Sequence, residues 1–437
     1  MDPDAPHPGS ATPDPAGAGG AEPPGRRLAP RHASSPARPR STSWTLSLVL
    51  VAVLAFAGSL AGFGVLRLQG NVRTVGDLGA LIARDDEGGS TATPDTDAWE
   101  GRPLNFLVIG SDDRGGANGE IGGVVGGMRS DTALLVHVAA DRSRVEVVSI
   151  PRDSEVRIPA CHLDRDPAGR MSEPTKDKFN AAFSLGGASG DPGLAGLCTA
   201  ATVAENTGID VGADFAIVDF AGFEGMVDAI GGVRLCVPEA IRDTHRNTDL
   251  DLDAGWHDLT GGQALDYVRA RYVTGSDNSD TQRIPRQQKF IGAVVRKVTS
   301  SDVLTSPRSV AGFLEQGTRA LTLSGDLASM RSLAGLGWRM RGLDPEQVTF
   351  VTVPTGPKPG SAGRVLWTDD ADLLWQRIAA DEPVAPEPAP GSTSTPAPDA
   401  TGDQATPGGG TPPAGTDVPQ PAVTPRTAED PDDVLCG

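Results

Sequence analysis

Arginine is concentrated at a few places in an otherwise acidic chain. The protein has 437 residues, with 38 Lys and Arg against 57 Asp and Glu, a formal net charge of −19. Arg269 and Arg271 stand two apart in YVRAR, and Arg283, Arg286 and Lys289 follow in RIPRQQK. If YVRAR is extended, both guanidiniums point to one face. Pro285 suits only the first turn of a helix, so a helix should begin near Arg283, with Gln287 its neighbour one turn on. Arg129 and Asp131 occur in MRSD, and Arg152 in SIPRD, each at the end of an expected strand. Strand ends are where α/β domains place ligands. Guanidinium forks grip phosphate bidentately and stay charged, so this set points to a dense anion. The plainer alternative is a solvated face on which these arginines pair with the abundant carboxylates.

The carboxylates sharpen that reading. Asp112 and Asp113 close the first strand in GSDDR, and Asp131 opens the second. Adjacent strand ends should bring Asp112 and Asp131 together. Two carboxylates beside phosphate-binding arginines suit Mg²⁺, with substrate phosphates as further ligands. Such an ion takes up leaving-group charge. Other chemistries fail on inspection. The Gly-rich stretch Gly115–Gly127 lacks G-K-[ST] and opens no helix, which removes a Walker loop and a dinucleotide fingerprint. Gly187-Ala188-Ser189-Gly190 is not a nucleophile elbow. The six His are scattered and no C-x-x-C occurs, which disfavours zinc. Asp249, Asp251 and Asp253 alternate like a calcium loop, but Thr260 stands where a bidentate Glu is needed, so a polar hairpin is expected there.

Elements must carry these residues. Strand candidates are Leu104–Ile109, Thr132–Ala139, Arg144–Ile150, Asp214–Asp219, Val233–Val237 and Val348–Val353. Helix candidates are Leu197–Asn206, Phe220–Ile230, Gly262–Tyr267, Arg286–Val298, Val310–Leu321 and Asp370–Ala379. Their alternation argues for a layered α/β/α domain over a central mixed sheet. Ten of the 37 Pro precede Trp44 and thirteen follow Glu382, so both ends are too poor in apolar residues to fold alone. Trp44–Leu66 is an uncharged run of 23 residues, long enough to span a bilayer as a helix. Arg26, Arg27, Arg31, Arg38 and Arg40 precede it and place the N-terminus inside. A cleaved signal peptide, with Ala55-Phe56-Ala57 as its site, is the alternative. The expected plan is therefore a disordered cytoplasmic segment (1–43), one transmembrane helix (44–66) and a juxtamembrane helix and linker (67–103). An extracytoplasmic domain (104–382) and a Pro/Thr/Gly-rich tail (383–437) follow. The outer part is strongly acidic, which argues against nucleic acid. All four Cys lie on the outer side, where disulfides persist. The expected pairs are Cys161–Cys198, flanking one loop-rich insertion, and Cys236–Cys436, pinning the tail; free thiols are the alternative.

At this point the chain resembles the LytR-CpsA-Psr family of cell-wall proteins. GSDDR (110–114), RSDTALL (129–135), SIPRDSEVRIP (149–159), KFNAAFSLGG (178–187), VDFAGFEGMVDAIGGV (218–233), LTGGQALDYVRAR (259–271) and DTQRIPRQQKF (280–290) occur in family order. The resemblance implies a single-pass enzyme of the cytoplasmic membrane whose catalytic domain lies outside. It implies phosphotransfer of a glycopolymer from a polyprenyl-diphosphate carrier to a peptidoglycan hydroxyl, with Mg²⁺ or Mn²⁺. Carried over, Asp112 and Asp131 hold the metal. Arg129, Arg152, Lys178, Arg269, Arg271, Arg283 and Gln287 grip the diphosphate, and Arg152 also assists proton removal from the acceptor. Arg114 matches the motif. Lys176 lies close enough to Lys178 to compete for its role. Competing readings are a polyprenyl-diphosphate hydrolase and a receptor or regulator that binds lipid-linked glycan without turnover. A pure binder needs the arginines but not Asp112 and Asp131.

Overall fold

The computed structural model describes residues 67, 70–71, 73–76, 78–82, 99–112, 128–245, 248–274, 283–300, 306–361, 363–384, 426–427 and 436. The expected membrane helix, Asp113 and Arg114 lie outside the described residues. Among the described residues no helix is long and apolar enough to cross a membrane.

The strands run in chain order as β1 (Arg73–Thr74), β2 (Leu104–Ser111), β3 (Ser130–Val138), β4 (Val145–Ser149), β5 (Glu155–Ile158) and β6 (Thr175–Lys178). Next come β7 (Phe215–Val218), β8 (Val233–Val237), β9 (Ile241–Arg242), β10 (Asp251–Leu252), β11 (Gly255–Leu259) and β12 (Leu321–Leu323). The last are β13 (Val348–Thr352), β14 (Thr355–Pro357), β15 (Val365–Trp367) and β16 (Arg426–Thr427). The helices are α1 (Phe179–Gly186), α2 (Pro192–Thr207), α3 (Phe220–Ala229), α4 (Gly261–Arg269), α5 (Arg283–Thr299), α6 (Pro307–Ala320), α7 (Met330–Met340) and α8 (Asp369–Ala379). The main sheet is mixed, in the order β1-β12-β7-β2-β3-β4-β13-β16. β2 runs parallel to β7 and antiparallel to β3, and β4 runs parallel to β13.

Both faces of this sheet are covered, which is why its central strands read as nearly continuous apolar runs. Leu107, Ile109, Leu135 and Val148 pack with Phe183, Val203 and Trp375 of α1, α2 and α8. The alternate residues Leu104, Val136 and Val147 pack with Leu336 of α7 and Ile291 and Val295 of α5. A third apolar cluster joins α3, α4 and α5 to β8, through Val227, Tyr267, Phe290 and Leu235. The layered architecture expected from the sequence is the one observed.

Local chemistry sets the element ends. Asp191 caps α2 by accepting from the Gly193 amide, Pro192 starts it, and Gly208 at φ 72° ends it. α4 opens with a capping box between Thr260 and Gln263. α1 and α2 approach closely because Gly186 has no side chain; a Cβ there would lie 2.3 Å from the Leu194 carbonyl oxygen.

Two features differ from the sequence expectation and two agree with it. YVRAR is not extended: Tyr267–Arg269 end α4, Ala270 is its C-cap, and Arg271 lies beyond it. α1, α7 and the β5–β6 and β14–β15 hairpins are additional elements, built from short or polar runs whose period is too brief to read. Both expected disulfides are present, with Cα–Cα separations of 5.3 Å for Cys161–Cys198 and 6.0 Å for Cys236–Cys436. The tail therefore returns to the domain twice, at Cys436 and at β16, which pairs with β13. The Asp251 and Asp253 side chains pair with Arg242, so the alternating aspartates form the polar hairpin expected.

Candidate functional site

The site sits at one end of the main sheet, where β2 finishes, β3 begins and β4 finishes. The β2–β3 register jumps from Gly110↔Thr132 to Ser111↔Ser130, which leaves Asp131 as the extra residue of a β-bulge. Bulges re-aim side chains and are common beside functional sites. Asp131 Oδ1 accepts from Arg152 Nη1 and from Arg271 Nη2, each at 2.8 Å. Its carbonyl oxygen accepts from Arg283 Nη2 at 2.6 Å. Burial would raise the Asp131 pKa, but Arg271, Arg283 and Arg152 outweigh it and hold the carboxyl below its ordinary range. The carboxylate is nonetheless 30% exposed, so the cluster opens to solvent.

Each cation arrives there for a local reason. Arg152 follows the end of β4. Arg271 follows the end of α4, and the first turns of α5 hold that end in place. Arg286 donates to the carbonyls of Tyr267 (3.3 Å) and Ala270, and Gln287 Nε2 donates to the carbonyl of Val268 at 3.2 Å. These are carbonyls the finished helix cannot satisfy itself. Gln287 also reaches Thr132 Oγ1 at 3.0 Å, and Gln288 reaches Ser149 and Thr352, each at 3.0 Å. Positions 283, 286, 287 and 288 of α5 thus lock α4 onto β3, β4 and β13. The run RIPRQQ was legible as a cationic helix start; its clamping role was not.

The remaining expected residues fall in different places. Asp112 is buried; its amide donates to the Arg129 carbonyl and its Oδ1 accepts from the Arg129 amide, both at 3.0 Å. It therefore sits at the β2 end beside the segment that opens β3. Arg129 meets it through its backbone, while its side chain is exposed. Arg269 turns elsewhere, its guanidinium 4.1 Å from the Phe220 ring centroid. Lys178 Nζ donates to Asp153 Oδ1 at 2.6 Å, and Asp153 Oδ2 lies 3.7 Å from Arg152 Nε. Lys176 pairs instead with Glu155. The site thus favours Lys178 over Lys176 as the lysine next to Arg152. Asp153 is the residue that motif reading passed over, although it is the acid that completes SIPRD.

The outcome is an alternating line of charges, Arg271–Asp131–Arg152–Asp153–Lys178, with Arg283 behind it. Among the described residues no group of three or more His, Cys, Asp or Glu side chains forms a metal cage. Asp112 and Asp131 are two carboxylates, which fit a hard divalent cation only together with substrate phosphates as further ligands.

Comparison with known proteins now decides the family. The LytR_cpsA_psr family model matches residues 83–373. The chain belongs to that family. LcpB of Corynebacterium glutamicum, named a probable cell wall biosynthesis protein, is 33% identical over 257 residues, which cover 57% of this chain and 55% of that one. The chain thus matches about half the length of that relative. TagU of Bacillus cereus, named a polyisoprenyl-teichoic acid–peptidoglycan teichoic acid transferase, is 24% identical over 283 residues, covering 63% of this chain and 77% of that one. Among solved structures, the protein gbs0355 of Streptococcus agalactiae superposes with a TM-score of 0.50 at 20% identity, covering 64% of this chain and 87% of that one. This last likeness concerns the fold alone.

Proposed function

We propose that this LytR-CpsA-Psr protein is a membrane-anchored phosphotransferase. It moves a glycopolymer from a polyprenyl-diphosphate carrier to a peptidoglycan hydroxyl. The observation that carries the reading is the convergence of Arg152, Arg271 and Arg283 on the bulged Asp131, in a chain of net charge −19. Names of relatives such as TagU support the substrate class.

In this reading Arg152, Arg271 and Arg283 take the oxygens of the diphosphate, and Lys178 adds a point charge from the Asp153 side. Gln287 holds the Arg271 turn in register through Val268. The acceptor hydroxyl oxygen attacks the glycan-bearing phosphorus. The new P–O bond forms as the bond to the bridging oxygen breaks, and polyprenyl phosphate leaves. Arg152 remains protonated, so it helps proton removal only through the carboxylates against it. Asp112 and Asp131 would hold Mg²⁺ or Mn²⁺, which would offset charge on the leaving phosphate. The rest of the catalysis is positioning and charge stabilisation, which phosphoryl transfer chiefly requires. Anchoring would come from Trp44–Leu66, with the N-terminus inside and the domain outside. The arginines before that run and the two disulfides support this topology.

The test uses the full chain in detergent with a short polyprenyl-diphosphate glycan and peptidoglycan fragments. Mass spectrometry should find glycan phosphate on the fragment, lost with EDTA and in Asp131→Asn. Free glycan phosphate with no modified fragment would make the protein a hydrolase. Tight lipid binding without turnover would make it a receptor.

A further inference from the structure

The charge line does not stop at Lys178. Glu155, whose side chain is 6% exposed, accepts from Lys358 and lies 3.2 Å from Lys176 Nζ and 3.6 Å from Arg364 Nη1. Arg364 Nη2 also donates to Asp177 Oδ1 at 2.7 Å. Lys358 and Arg364 face each other across the β14–β15 turn, where the Lys358 amide donates to the Arg364 carbonyl at 3.1 Å. That hairpin is fastened to the site itself. The Val365 amide donates to the Asp153 carbonyl at 3.1 Å, and Ser154 bridges to Val365. A Cβ on Gly363 would stand 3.9 Å from Lys178 Nζ.

We propose that Lys176, Lys358 and Arg364 form a second anion subsite, which takes a phosphate or carboxylate carried by the glycan beyond the diphosphate. The proposal rests on the transferase reading above. Charge is the first argument. Three cations share two carboxylates, a local surplus in an acidic chain, where a purely structural network needs only balance. Exposure is the second. Glu155 is shut away while the Lys176, Lys358 and Arg364 side chains are 67%, 33% and 28% exposed. An ammonium carries three donors and a guanidinium five, so one buried acid leaves donors over for a ligand. Continuity is the third. The β14–β15 hairpin is bonded to Asp153 and Ser154, beside Arg152, so the subsite adjoins the proposed diphosphate site.

Two variants test this in the full chain in detergent: Lys358→Gln/Arg364→Gln together, and Glu155→Gln. The probes are pyrophosphate, a glycerol-phosphate hexamer, a disaccharide muropeptide with free carboxylates and a neutral chitin hexamer, each followed by calorimetry. The double variant should weaken one anionic glycan probe by about tenfold and leave pyrophosphate and the neutral hexamer unchanged. Glu155→Gln should tighten the same probe by about threefold even as thermal stability falls, because it removes a competing anion. Weakening by both variants, or by neither, would overturn the subsite and leave a structural network. A loss confined to the phosphate hexamer assigns the anion to the donor polymer; a loss confined to the muropeptide assigns it to the acceptor. If wild type ignores pyrophosphate while a glycan probe still depends on Lys358 and Arg364, the diphosphate reading falls and the subsite stands.

Discussion

The strand pair β3–β4 carries a polar cluster at each end, and the two are built on opposite plans. At one end Asp131 faces three arginines and is 30% exposed. At the other, His137 pairs across strands with Glu146 and with Asn105. His137 Nδ1 lies 2.7 Å from Asn105 Oδ1, and its Nε2 lies 3.0 Å from Asp381 Oδ1. Arg144 Nε donates to Glu146 Oε1 at 2.8 Å, and Arg144 Nη2 donates to Asp381 Oδ1 at 2.6 Å. His137 is fully buried, and Asp381 adopts a φ of 55° to reach it. This far cluster ties the end of α8 to the sheet, with Glu146 Oε2 left buried without a hydrogen-bond partner. The near cluster has surplus cations and an open side. Burial shows the difference in the carboxyls. Glu146, with one arginine and Asp381 beside it, is pushed up to about 7, mainly by burial. Asp131 is held low because its cations outweigh burial. Convergence of several cations on one carboxylate therefore marks the proposed ligand site, while the far end is distinguished by the burial of His137 and Glu146.

The largest effect should come from emptying the near cluster. Arg271→Ala should cut transfer by about 10²- to 10³-fold, as loss of one charge-stabilising donor does, with little change in thermal unfolding. Loss of fold instead would mean that the near cluster is structural too, and the contrast would collapse.

The clamp between the two clusters comes next. Gln288→Leu strips hydrogen bonds to Ser149 and Thr352 and should cost about 1–3 kcal/mol in urea unfolding. Activity should fall with stability rather than ahead of it.

The far cluster should show itself in pH. A Glu raised in the folded state contributes most below its unfolded value of 4.5 and loses that contribution as pH rises through about 7. The stability of Glu146→Gln relative to wild type should therefore climb between pH 5 and 8, by at most on the order of 3 kcal/mol. Burial holds the His137 pKa below its ordinary value, so it charges on the acid side. A flat difference would show that Glu146 is not buried as described.

The smallest effect belongs to a surface pair. Arg165→Ala breaks the Asp191 ion pair at 2.5 Å, yet should shift stability by less than about 1 kcal/mol, since solvent screens it.

Much of this molecule was legible in the residues. Uninterrupted apolar runs reported strands buried on both faces. The stop of α2 at Gly208 agrees with the expected end at Asn206, but its start was expected at Leu197 and lies at Pro192, where Asp191 caps it; the Thr260–Gln263 capping box of α4 likewise went unread, although caps answer local backbone needs. Arg152 and Asp131 were placed by residue type at expected strand ends and do meet, whereas Arg129 and Arg269 of the same expected set turn away. Matching stretches carried the family. What chain order could not supply was direction. Whether YVRAR continued as a strand or ended a helix depended on Arg286 and Gln287 reaching its carbonyls from another helix. Which guanidiniums would meet depended on that turn: Arg271 reaches Asp131, while Arg269 lies over Phe220. The bulge that aims Asp131 is a property of two strands in register, and the Glu155 network joins hairpins about 200 residues apart in the chain. Local backbone and solvation preferences act over a few residues and are written in the sequence. Convergence of charges is set by packing between distant elements, and only the folded structure decides it.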